Sequence, residues 1–322
     1  MIRLFLENRV WTLLLLPVFI GVFTFLNQLT GFYPISTHIN LGLWGTAPMD
    51  YVLSAGLSFG LILINAVALN IIFNLHEFMD KNSYIVSLLY VVTMSFYHSF
   101  YSFDGSLIAH SMIILMLLQF LNLKQNVDGR KEVFNGSFFA GVAATFFPPL
   151  ILAYLPILFM TLIIRPFIIR EMVLSFFGFL TPLLYAGTFL WYNHVNVDWK
   201  ILEDINNNRF QIDFITNMVF LGILLGLGTI SLSARLQKAS IRLKKQIQML
   251  WVIILLSIAF GVWDFILYKQ IERFSLLMIP LSYLLSYSFL HKRYAIVANV
   301  VFYLTILYAL LKFFIFQPSA ST

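Results

Sequence analysis

The sequence contains no cysteine, which removes disulfide staples, thiolate nucleophiles and thiolate metal ligands together. Charge is scarce as well: 11% of the residues are Asp, Glu, Lys or Arg, against 60% hydrophobic, and the mean hydropathy is +0.88. No hydrophilic block exceeds about 20 residues, too short for a separate soluble domain that could do chemistry beside a membrane. Also missing are a Gly-x-x-x-x-Gly-Lys loop, a nucleophile elbow, a dinucleotide fingerprint and any His-x-x-x-His or Glu-x-x-His spacing. These absences argue against soluble-enzyme chemistry and ATP-driven transport by this chain alone, and no metal or cofactor is expected. What remains is one integral membrane domain over residues 1–322, an all-α polytopic transmembrane helix bundle whose sites must be built from helix ends and short loops.

The net charge of +6 is not spread as a nucleic-acid surface would be. Arg235, Lys238, Arg242, Lys244 and Lys245 fall in one loop, the pattern of a cytoplasmic loop facing anionic lipid. Arg3 and Arg9 likewise place the N-terminus in the cytoplasm. The apolar run Val10 to Leu29 is too long for a signal-peptide core and is expected to stay as the first span. Topology then turns on the stretch from Lys124 to Glu171. Its apolar part, Phe134 to Ile164, is well beyond the roughly 20 residues that cross a bilayer once, and Pro148-Pro149 interrupt it near the middle. A single crossing would put both Arg165 with Arg170 and the Arg235 to Lys245 loop outside; a hairpin puts both inside. The hairpin is the expected form, two short helices meeting near Pro148-Pro149, with about eleven crossings in all.

In that topology Asp50, Asp104, Asp264, Lys269, Glu272 and Arg273 fall at the outer ends of helices. Ionisable groups at membrane depth are costly and usually kept for a reason, although each could simply mark where lipid ends. Asp104 is the candidate acid or base: it follows two aromatic spans at a Gly-containing corner with no basic neighbour in sequence. As an N-cap for the helix beginning at Ser106 it fits equally well. Lys269 and Arg273 lie one helical turn apart and could point together at a phosphate, with Glu272 beside them. The histidines His38, His98, His110 and His194 are read as packing or interfacial residues.

Phe139-Ala-Gly-Val-Ala-Ala-Thr-Phe-Phe-Pro-Pro-Leu, followed by Ile-Leu-Ala-Tyr-Leu-Pro156, resembles the small-residue and Pro-Pro helix pair of polytopic GT-C class glycosyltransferases. Arg273-Phe-Ser-Leu-Leu-Met-Ile-Pro280-Leu resembles the late basic segment of the same class, and the Tyr101 to Gln119 stretch sits where their acidic corner does. The chain also resembles membrane proteins of the Bacteroidota. The resemblance implies a GT-C-like fold in a bacterial inner membrane and a polyprenyl-phosphate-linked sugar used on its outer side. Asp104 or Asp50 would then be the base and Arg273, Lys269 and Glu272 would surround the donor phosphate. One departure stands out: the first outer loop of that class carries a catalytic carboxylate, whereas Gly31 to Asn40 has none and Asp50 comes only at the far end. Three functions therefore stay open: glycosyl transfer for an envelope glycan or glycoprotein, a non-catalytic scaffold or assembly subunit of an envelope complex with membrane-protein partners, and a secondary transporter. No internal repeat and no mid-span charge pair supports the third. The expected partners are the lipid bilayer, a lipid-linked sugar or other membrane proteins, and no nucleic acid.

Overall fold

The computed structural model describes residues 2–7, 9–33, 38–124, 128–165, 168–194, 208–237, 239–268, 272–289 and 292–315. The chain is an all-α bundle. A short α1 (Ile2–Leu6) is followed by α2 (Leu15–Thr30), then by a small ribbon of β1 (His38–Asn40) paired antiparallel with β2 (Thr46–Pro48), with Ile39 opposite Ala47. The helices α3 (Tyr51–Leu75), α4 (Ile85–Met94) and α5 (Gly105–Asn122) lead to α6 (Arg130–Phe146) and α7 (Tyr154–Ile164). Then come α8 (Ile169–Asn193), α9 (Asn208–Leu236), α10 (Ile241–Tyr268), α11 (Met278–Ser288) and α12 (Lys292–Ile315).

Among the described residues, 7 helical segments are long and apolar enough to cross a membrane: Val10–Thr30, Tyr51–Leu75, Gly105–Asn122, Ile169–Asn193, Ile215–Ser233, Ile241–Leu267 and Ala295–Ile315. Most carry large apolar side chains on their outward faces, such as Leu57 and Ile64 on α3, Leu184 on α8 and Leu255 and Ile266 on α10. Exposed apolar surface on this scale suits a hydrocarbon surround rather than water. Two shorter helices do the opposite. Every residue of α4 and of α11 is buried, and the two pack on each other at the centre. A helix that is apolar all round belongs inside. Both are shorter than the spans expected from sequence, because α4 gives way after Met94 to a turn and a short 3₁₀ segment at His98–Phe100, and α11 is preceded by another at Glu272–Leu277.

The Phe134 to Ile164 stretch does break into two helices. Pro148 and Pro149 have no N–H to continue α6, so the chain passes through Phe147 into a 3₁₀ segment, Pro148–Ala153, before α7. It also turns back on itself: the Arg165 guanidinium, just past α7, lies against Gly129, just before α6. Lys245 at the start of α10 donates to the Ile164 carbonyl at 3.0 Å, and Arg165 pairs with Glu171 at 3.0 Å, so the two basic loops share one end of the bundle. The small residues of the sequence motif have a packing role. Gly141 lies against the Phe179 carbonyl and Gly178 against the Phe134 carbonyl, and the Ser137 and Ser175 hydroxyls lie 2.9 Å apart between them. A Cβ at either glycine would drive α6 and α8 apart, the close approach that small residues allow between membrane helices.

Candidate functional site

The bundle has two unlike ends. At the basic end, Arg3, Arg9, Lys81, Lys124, Arg130, Lys131, Arg170, Arg242 and Lys244 are exposed, and Arg235 reaches Asp80 at 2.6 Å. At the opposite end Arg273 and Lys312 are both buried, at 2% and 0% exposure. Five of the six outer-end residues expected from sequence are described there; Lys269 lies outside the described residues.

Asp104 is built in by the start of α5. Its extended backbone makes it the N-cap, with Oδ1 accepting from the Leu107 N–H at 2.9 Å and from the Ser106 hydroxyl at 2.9 Å. Oδ2 accepts from the Ser99 hydroxyl at 2.8 Å. The cap is the second of the two roles the sequence allowed, and it leaves the carboxylate buried and held by the chain itself. Burial pushes its pKa up, opposed by the Leu107 N–H, by nearby His98 and by the two serine hydroxyls.

Glu272 faces the same turn from the other side of the bundle. Both its oxygens lie 3.0 Å from the His98 N–H, and the Ser99 N–H also donates to it. The 3₁₀ turn His98–Phe100 thus meets a carboxylate at its N-terminal N–H groups, the geometry helix ends offer to anions. Burial pushes Glu272 up to about 8, with the N–H groups acting against this and Asp104 and Asp264 adding to it. Arg273 turns away from Glu272: its Nε lies 3.2 Å from Asp264 Oδ1, and its guanidinium carbon 5.7 Å from the Phe147 ring at the α6–α7 break. Asp264 and Arg273, separated by the end of α10, therefore form a buried ion pair.

Asp50 is different. It precedes α3 in the N-cap position but its side chain makes no capping bond, and it is exposed. One turn on, the Ser54 hydroxyl accepts the Phe103 N–H at 3.0 Å, which ties the start of α3 to the Asp104 corner. The ribbon closes over the same region: Trp44 Nε1 donates to Thr145 Oγ1 at 3.1 Å, and Gly105 lies beneath the Phe146 and Asn40 carbonyls. The structure thus brings Asp50, Asp104, Asp264, Glu272 and Arg273 to one end, but offers only Asp50 to solvent.

Sequence reasoning passed over Lys312. Its Nζ donates to the Ser95 carbonyl at 2.7 Å and to the Tyr33 hydroxyl at 3.3 Å. The rings of Phe32, Tyr33, Phe96, Tyr101 and Phe313 surround it, Tyr33 nearest at 4.6 Å to the centroid. The signal was present: a lone cation inside the apolar run Tyr294 to Phe316 is too expensive to leave unsatisfied. Among the described residues no three His, Asp or Glu side chains are grouped to hold a metal ion.

No family model matches the sequence, and no curated protein matches it. The class rests on the fold itself: an all-α bundle with seven candidate membrane-spanning helices among the described residues, a multi-pass membrane protein.

Proposed function

We propose that this chain is a non-catalytic scaffold or assembly subunit of a cell-envelope complex in the bacterial inner membrane, with about eleven crossings and a cytoplasmic N-terminus. Orientation follows from the exposed cations gathered at the end that carries Arg9 and Arg242, which faces inward by the positive-inside rule. The observation that carries the scaffold reading is the occupancy of the charged groups at the other end. Asp104 caps its own helix and Arg273 is spent on Asp264. Neither is offered to a ligand. The exposed ribbon residues Thr46 and Pro48 with Asp50, and the aromatic end of α8 at Trp191 and Tyr192, are the surfaces left for a partner. Solubilised from its native membranes in mild detergent, the chain is expected to bring down a stoichiometric membrane-protein partner, and function is expected to survive Asp50→Asn with Asp104→Asn. Loss of function in that double variant without loss of protein would overturn the reading.

A second reading is favoured by Asp50 alone, the exposed and uncapped carboxylate. In a GT-C-like enzyme it would be the base that takes a proton from an acceptor hydroxyl, and Arg273 would exchange Asp264 for the phosphate of a polyprenyl-linked sugar. Transfer from such a donor in proteoliposomes, abolished by Asp50→Asn, would establish it; no transfer by the intact chain would end it.

Because the chain has no cysteine, sidedness can be read cleanly. A single cysteine at Thr46 is expected to react with a membrane-impermeant maleimide added to spheroplasts, and one at Lys81 only after lysis. The reverse pattern would invert the topology.

A further inference from the structure

The elements that meet at the buried-charge end place more acid there than base. The Glu272–Leu277 segment presents Glu272 and, one 3₁₀ turn later, Ser275; the first turns of α5 present Ser106 and then His110 on one face. The two faces meet in two tiers. In the outer tier Ser99 joins both acids, its N–H to Glu272 and its hydroxyl to Asp104, while its oxygen lies 2.7 Å from that of Ser106. In the inner tier the Ser275 hydroxyl lies 3.2 Å from His110 Nε2, and the Tyr90 hydroxyl 3.2 Å from His110 Nδ1. The row ends at Asn65, which meets Tyr90 and accepts the Ser111 hydroxyl at 2.7 Å. Polar groups thus lie in two tiers from the end of the bundle towards its core, and Asp, Glu and His buried at membrane depth are the residue types that handle protons.

The charges facing the outer tier are Asp264 from α10, Arg273 from the Glu272–Leu277 segment and His98 from the 3₁₀ turn. Arg273 is paired with Asp264, and among the described residues neither Asp104 nor Glu272 forms an ion pair. His98 beside Asp104 can balance one of the two charges at most, so two buried carboxylates joined through Ser99 do not both stay ionised, and one takes up a proton. Their oxygens accept from N–H and O–H donors, which supports the ionised form of one carboxylate; the second, meeting that like charge through Ser99, is the one that takes up a proton. We infer that Glu272 and Asp104, joined through Ser99, form a buried proton-binding site that keeps one exchangeable proton at neutral pH. The site rests on neither reading of the function above. Release is a simple dissociation: the O–H bond of one carboxyl group breaks, its electron pair stays on the carboxylate and the proton passes to water at the ribbon end. The upward push of burial on both groups agrees with this assignment.

Infrared difference spectroscopy of the full chain in nanodiscs, titrated with acid and base, reads the proton directly. Expected is the carbonyl stretch of a protonated carboxylic acid at pH 7, shifting in D₂O and lost with a midpoint of about 8. Glu272→Gln should remove it. Asp104→Asn, which takes away the neighbouring negative charge, should keep a band but move its midpoint to lower pH. A merely structural pair would not show that coupling. Absence of the band at pH 7, with or without added Na⁺, would overturn the site, as would a midpoint that Asp104→Asn leaves in place.

Discussion

The two ends of the bundle solve the problem of charge at a membrane in opposite ways. At the Arg235 end most described cations stand in water, the largely buried Arg165–Glu171 pair being the exception, and the Arg235–Asp80 pair has a carboxylate 80% exposed. At the Asp104 end the Arg273–Asp264 pair is 2% and 0% exposed and Lys312 is wrapped in rings. The same interaction type therefore has different consequences. Exposed pairs are screened and nearly neutral in free energy, whereas a buried pair that loses one partner leaves a charge stranded. Outside the Arg165–Glu171 pair, the basic end can vary its charges; the other end is committed to them.

Substitutions test that contrast in order of size. Arg273→Ala strands Asp264 and is expected to cost about 3–5 kcal/mol, seen as loss of folded protein in a detergent thermal melt. Asp264→Asn added to it should restore much of that loss; a single variant as stable as the parent would mean the pair is not buried. Lys312→Ala should follow at roughly 2–3 kcal/mol, since it removes charge-assisted hydrogen bonds and a ring cage that tie α12 to the Tyr33 and Ser95 segments. Smaller again is a pH effect. Glu272 is raised from 4.5 to about 8, so the folded chain binds a proton that the unfolded chain has released. Its stabilisation is complete below pH 4.5 and is lost as pH rises through about 8. Melting temperature should fall across that window, and Glu272→Gln should flatten the fall. Arg235→Ala should change stability by less than about 1 kcal/mol, and its effect should vanish in high salt. A cost there equal to that of Arg273→Ala would erase the distinction between the ends.

Much of the fold was legible in the sequence because it follows from apolar run length and the placement of Lys and Arg. The break at Pro148 is an example: two missing N–H groups force it whatever the surroundings. The central helices were less legible. A run such as Ile85 to Tyr101 reads the same whether it faces lipid or protein, and only packing shows that α4 stops at Met94 and is buried all round. Of the site, sequence reasoning could gather the acids at one end but not say which were free. The cap at Asp104 is local and was among the sequence readings, its extended backbone setting Oδ1 on the Leu107 N–H; that Ser99 also closes on it was not. Arg273 took Asp264 rather than its neighbour Glu272, which the His98 turn had already bound. The partners of Arg273 and Glu272 depend on distances across the bundle. Lys312 was legible and was passed over, because a single cation near a helix end looks like an edge marker until the rings around it are seen.

The most direct test is a structure of the chain in lipid nanodiscs with a polyprenyl-phosphate sugar added in excess. If the charges of this end serve the chain itself, Arg273 will remain on Asp264 and Asp104 on Leu107 and the two serines, with no phosphate density beside them. Phosphate density at Arg273, with Asp264 displaced, would contradict that and turn the end into a ligand site.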